Sequence, residues 1–234
     1  SNQFPVSYFS IFTLDTDRVK QIFQVGLPAA LEQIIFQIGI TAFLILVAYY
    51  GTEAYAAYGI GVQILSFSFV IGFGFSIAGA TLVGQHLGAK NTDQAKRAGW
   101  GAMRLSIISM TFFGIIITLF AEPLARFMID NDEVVRLTVI FIWLLGSMQP
   151  LMAIEFSLGG ALRGAGDTKT PLAITLTCLL FIRVFLAVIF FLLDARIEVI
   201  FSTLVADYVV KGFLYVARYK SDKWMNALKS KEAL

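Results

Sequence analysis

The sequence predicts an all-α integral membrane protein with six transmembrane helices, on three observations. The first is composition: 58% of the 234 residues are hydrophobic, 15% are charged, and the mean hydropathy is +0.78. Soluble domains average about 45–50% apolar and about 25% charged residues. The second is run length. A helix needs about 20 largely apolar residues to cross a bilayer, and six runs in the chain approach or exceed that length. Buried strands are usually about 3–10 residues long, so these runs are helices. The third is the distribution of basic residues between the runs, described below.

The first run, about 25–50, contains Pro28, where an interruption of the helix is expected. The second, about 57–83, is dense in small residues (Gly59, Gly61, Gly72, Gly74, Gly79 and Ala80), which let helices approach closely. The third, about 101–120, is preceded by Asn91 and Gln94, the pattern of a capping box. The fourth, about 134–158, is opened by capping and acidic residues at Asp130–Glu133 and is expected to kink at Pro150. The fifth, about 171–193, starts with Thr170 as N-cap and Pro171 at the first helical position. The sixth is about 197–217. "GATLVGQ" after the second run and "GALRGAG" after the fourth form a faint internal echo.

The segments 15–20, 84–97 and 163–169, the tail from Arg218 and Arg104 together carry thirteen Lys and Arg. The opposite connectors carry three, Arg126, Arg136 and Arg196, while Arg183 and Lys211 fall inside runs. The positive-inside rule then places both termini in the cytoplasm of a multi-pass protein in the cell's inner (plasma) membrane. The N-terminal stretch lacks the basic region, apolar core and cleavage site of a signal peptide. Its start at Ser1-Asn2, without an initiator methionine, is expected to lie inside a longer protein.

Several functions are excluded by count. The net charge of +2, with no basic run, argues against nucleic acid. A single cysteine, Cys178, and a single histidine, His86, leave no disulfide within the chain and no zinc cluster. No nucleophile–base pair is visible, so the chain does not read as an enzyme, and no cofactor is expected. The glycine-rich "GALRGAGDTKTP", Gly160 to Pro171, approaches a phosphate loop, but Asp167 and Thr168 separate Gly166 from Lys169 and no strand precedes it. It reads as a tight turn, with Gly164 and Gly166 free to take positive φ and Asp167 capping locally.

"LPAALEQ" at the start of the first span, "ATLVGQHLGAKNTDQAKRAG" after the second and "GALRGAGDTKTPL" after the fourth together resemble the multidrug and toxic compound extrusion (MATE) transporters. The resemblance covers all six runs in order. Members of that family have twelve spans in two six-helix lobes, and "LPAALEQ" with "FIRVFL" in the fifth run resembles the C-terminal lobe. The resemblance implies that residues 1–24 are the inter-lobe connector and cytoplasmic N-terminal segment, 25–217 one six-helix lobe, and 218–234 a cytoplasmic tail. It also implies as partners a missing N-terminal lobe or a second copy of this lobe, the lipid bilayer, and small organic cations as substrates.

Charged residues at bilayer depth cost about 2.5–3.5 kcal/mol on insertion scales and mark candidate sites. Glu32, Gln33, Phe36 and Gln37 share one helix face. That face offers a carboxylate, two amides and a ring on which an organic cation can stack. In the resembled family an acid on this helix takes part in cation or proton coupling, and Glu32 matches it; the structural alternative is a hydrogen bond to a neighbouring helix. Glu155 follows Pro150, with Gln149 and Met152 nearby as candidate substrate contacts. A carboxyl at low dielectric holds its proton more readily, so Glu155 is a second candidate for cation or proton binding. Asp207 and Lys211, at i and i+4, are expected to neutralise each other, with Arg183 as a further member of a structural charge network.

The resemblance implies the C-terminal lobe of a multidrug efflux antiporter coupled to H⁺ or Na⁺, working by alternating access. A lipid-linked saccharide flippase of the same superfamily is the alternative cargo reading. A half-transporter fragment without transport of its own is the alternative in kind.

Overall fold

The computed structural model describes residues 16–226. Parts of the expected connector (1–15) and tail (227–234) lie outside the described residues. Among the described residues every element is helical: α1 Thr16–Ala48, α2 Thr52–Gly88, α3 Thr92–Leu119, α4 Ala121–Met128, α5 Asp132–Ser147, α6 Gln149–Gly164, α7 Lys169–Thr177, a π-helical segment Cys178–Val184, α8 Phe185–Leu192, α9 Ile197–Lys220 and a 3₁₀ turn Lys223–Asn226. Five helical stretches are long and apolar enough to cross a membrane, and α5 with α6 makes a sixth as one bent span. The first helix is longer than expected, because residues 16–24 continue α1.

The boundaries follow local chemistry. Asn91 accepts from the Gln94 amide at the start of α3. Asn131 accepts from the Glu133 and Val134 amides at the start of α5. At α7 the expectation needs correction: the helix begins at Lys169, and Thr170 is no cap. Instead, Asp167 accepts from both the amide and the hydroxyl of Thr170. A carboxylate accepts from helix N–H groups through charge-assisted hydrogen bonds and is favoured by the positive end of the helix dipole. The short helix α4 was not expected either. It is eight residues long, buries Ala121 and Ala125, and has Pro123 in its first turn, where a missing N–H costs nothing.

The two prolines behave differently. Pro150 sits in the first turn of α6, and α5 and α6 meet at 54° across Met148. The expected kink is therefore a break just before the proline. Pro28, in contrast, lies inside a continuous α1, so the expected interruption there does not occur. Membrane helices tolerate this where neighbours re-satisfy the freed carbonyl.

The closest packing is between α2 and α6. A Cβ on Gly160 would collide with the Ser76 backbone, and one on Gly164 with the Ala80 backbone. From the other side, a Cβ on Gly79 would come within 3.0 Å of the Ser157 carbonyl, and one on Gly84 within 3.1 Å of that of Gly164. The echoed motifs "GATLVGQ" and "GALRGAG" are thus two faces of one helix crossing. Gly164 is needed for backbone approach, whereas the turn itself uses Gly166, at φ 79°.

Large apolar side chains face outward, as lipid requires: Phe67, Phe181 and Phe213 are each over 60% exposed. One apolar core gathers α1, α2, α5, α8 and α9 around Phe141 and Phe201. A second lies at the other end of the bundle, around Leu158, Tyr215, Tyr219 and Trp224. There Trp224 stacks on Tyr219 with ring centroids 4.6 Å apart, and Arg218 pairs with Asp167 at 2.6 Å. Tyr219 also donates its hydroxyl to the Ala95 carbonyl at 3.2 Å, so the turn after α6, the start of α3 and the end of α9 are joined.

Replacing Gly160 with Leu should remove the α2–α6 approach and cost at least the roughly 1–3 kcal/mol typical of overpacking. Gly74→Ala, at a position with no neighbour within 4 Å, should leave stability near wild type. Thermal unfolding in detergent distinguishes the two; equal melting temperatures would contradict the packing account.

Candidate functional site

Helices α1, α2, α6, α7 and α9 converge on a cavity of about 530 Å³. Its apolar wall comprises Phe36, Phe69, Phe73, Phe156 and Tyr208, and its polar groups include Glu32, Gln33, Ser76, Glu155, Arg163 and Thr175. Gly72 makes room for the Phe156 ring, which meets Phe73 edge-on at 5.0 Å. A space of this size with aromatic walls and few polar groups suits a drug-sized molecule.

Glu32 forms the polar corner. Its carboxylate accepts from Arg163 Nη1 at 3.0 and 3.2 Å and from Thr175 Oγ1 at 3.3 Å. Arg163 Nη2 also donates to Ser76 Oγ at 3.3 Å. Three helices besides α1 therefore hold this carboxylate: α6 and α7 directly, and α2 through Ser76.

The second group of charges is more deeply buried. Asp207 Oδ2 lies 2.6 Å from Arg183 Nη2 and 3.2 Å from Lys211 Nζ. Lys211 Nζ also reaches Glu155 Oε1 at 3.2 Å. The Lys211 and Asp207 side chains are fully buried, while Glu155 is 20% exposed on the cavity side. Both cations also lie near the Tyr208 ring, Arg183 at 5.5 Å and Lys211 at 5.6 Å from its centroid. The π-helical turn Cys178–Val184 carries Arg183 inward to 3% exposure. Such wide turns are common at functional positions in helices.

The structure thus gathers Glu32, Gln33, Phe36 and Glu155 around one space and joins Arg183, Asp207 and Lys211 behind it. Three expected contacts fall elsewhere. Gln37 is exposed and does not line the cavity. Gln149 is fully buried, with its side chain filling the space beside Gly114 of α3. Met152 packs into a small core with Met110 and Ala153. The first turns of α6 pack against α3, whereas Glu155 and Phe156, further along the same helix, line the cavity. Arg163, Thr175, Ser76 and Tyr208 were missed. Arg163 could have been found by counting it as the last turn of α6 instead of as a loop residue.

A bundle of span-length apolar helices with charged groups around a cavity is the architecture of the membrane transport proteins as a class. The chain belongs to the MatE family, whose sequence profile matches residues 28–189; it is a family of transporters, not of enzymes. It is 35% identical over 214 residues to the "Probable multidrug resistance protein NorM" of Thermotoga maritima, covering 88% of this chain and 44% of that one. Among solved structures it resembles "MATE transporter ClbM in complex with Rb+" with a TM-score of 0.83 at 19% identity, covering 94% of this chain and 51% of that one. It also resembles "Crystal structure of MATE in the bent conformation" with a TM-score of 0.82 at 19% identity, covering 97% and 50%. The chain spans about half the length of the proteins it matches.

Asp207→Asn should leave Arg183 and Lys211 buried without their shared counter-charge. Breaking a buried pair in this way costs about 3–5 kcal/mol, so a large drop in melting temperature or in monodisperse yield is expected. Glu155→Gln, at the cavity edge, should cost less, because the Asp207 carboxylate still pairs with Lys211. Equal losses for the two would refute the burial argument.

Proposed function

We propose that this chain is the C-terminal lobe of a multidrug efflux antiporter that exports organic cations in exchange for H⁺ or Na⁺. The observation that carries the reading is Glu32, a carboxylate at the polar corner of an aromatic-walled cavity. Binding of the coupling cation or a proton at Glu32 would bias one orientation of the lobe and displace the cargo. The family membership and the multidrug resistance relatives support the cargo class. On this reading residues 25–217 form the lobe, extended by the start of α1. An N-terminal lobe, or a second copy of this one, supplies the facing half of the pathway. Both termini lie in the cytoplasm and the protein resides in the inner membrane.

The flippase reading draws on one feature, the Arg163 guanidinium at the cavity, since a basic group would meet a pyrophosphate. That guanidinium is engaged by Glu32, and Lys211 is engaged by Glu155 and Asp207. The same pairs engage the acids as fully as the bases, so the preference for cationic cargo rests on the multidrug resistance relatives.

Glu32→Gln in the native reading frame should reduce ethidium or norfloxacin efflux from cells by on the order of tenfold, as removal of a coupling charge predicts. Unchanged efflux would remove Glu32 from the mechanism. Failure to move any dye, together with binding of a lipid-linked saccharide precursor, would favour the flippase.

A further inference from the structure

The two carboxylates of the cavity have partners of different kinds. Lys211, which serves Glu155, is fully buried and also tied to Asp207. It has nowhere to retreat. Arg163, which serves Glu32, is 31% exposed along its side chain, while Glu32 is only 12% exposed. The guanidinium already has a second anchor on α2, Ser76 Oγ. Gly159, one turn before it on α6, leaves space beside Nη2: a Cβ there would approach that atom to 3.4 Å. Arginine stays charged at all physiological pH values, so Arg163 can leave Glu32 only by moving, not by losing its proton.

We infer that Arg163 is a tethered resident cation: it neutralises Glu32 when the cavity is empty and must swing away for another cation to bind. Binding of a cation at Glu32 and the Arg163–Glu32 contact are then mutually exclusive. Arg163 acts as a built-in competitor that sets cation affinity, while the Lys211–Glu155 pair stays fixed. The inference rests on the reading of Glu32 as a cation site and adds what occupies that site at rest.

The test uses the protein in its native reading frame, purified in detergent, with ethidium binding followed by fluorescence anisotropy. Arg163→Gln should bind ethidium on the order of fivefold more tightly, the scale set by a partly exposed ion pair. Arg163→Lys, whose ammonium lacks the planar fork, should fall between wild type and Arg163→Gln. The double variant with Glu32→Gln should bind as weakly as Glu32→Gln alone, since the competitor acts only through that carboxylate. A purely structural role for Arg163 predicts the opposite sign, with binding weakened from wild type to Lys to Gln. Equal or weaker binding by both Arg163 variants overturns the inference while leaving Glu32 as a cation site. Unchanged binding by Glu32→Gln overturns the underlying reading as well. If Arg163→Gln does not fold, Arg163→Lys alone decides by the sign of its change.

Discussion

Asp207 carries a carboxylate with no solvent exposure, and only the two cations beside it, Arg183 and Lys211, make that tenable. An uncompensated charge at that depth would cost several kcal/mol. The need to pair it shapes much of the bundle. It fixes α9 against the π-helical turn that delivers Arg183, and through Lys211 it fixes α9 against α6, where Glu155 lies. The sum of these contacts is three carboxylates, Glu32, Glu155 and Asp207, facing three cations, Arg163, Arg183 and Lys211. The region is neutral although it is rich in charge.

The pairing depends in turn on backbone approach. Ser76 and Arg163 stand on α2 and α6, where the crossing at Gly160 and Gly164 brings the two main chains into contact. A side chain at either glycine would push α6 away from α2 and separate Arg163 from Ser76. Small residues are usually explained by packing alone. Here the same contact also sets where the guanidinium stands relative to Glu32.

Much of the fold is written plainly in the sequence, because apolar run length and helix caps are local signals. Asn91 and Asn131 cap as their spacing implies, and Pro150 marks the break in the fourth span. Other features depend on what lies across the bundle. Pro28 does not interrupt α1, and nothing in its flanking residues says so. The π-helical turn around Arg183 is a tertiary accommodation of a charge that must reach Asp207. For the site, Glu32, Gln33 and Phe36 were legible from helical spacing because α1 is continuous. Gln149 and Met152 were misplaced because they stand roughly one to two turns before Glu155 on α6, where that helix packs against Gly114 and Met110 of α3, and spacing along one helix does not say which neighbour covers each turn. Arg163 was hidden by its motif: a glycine-rich stretch reads as a turn, whereas α6 continues through Gly164.

Charge balance constrains what such a cavity can do if it transports. Adding a cation to a neutral, low-dielectric region leaves one charge unmatched, and the cost is of the order that keeps charges out of membranes altogether. The cost falls if an equal charge departs, whether a proton, a metal ion or a guanidinium moving toward water. On the proposed reading, exchange follows from this constraint: the cavity accepts a cation at low cost only as another withdraws from Glu32. Glu155 is less suited to that role, because its counter-charge is buried and shared with Asp207. Freeing Glu155 would strand Lys211 against a single remaining carboxylate that Arg183 already occupies. On that reading the two acids of the cavity differ in kind, with Glu155 committed to Lys211 and Glu32 available for exchange.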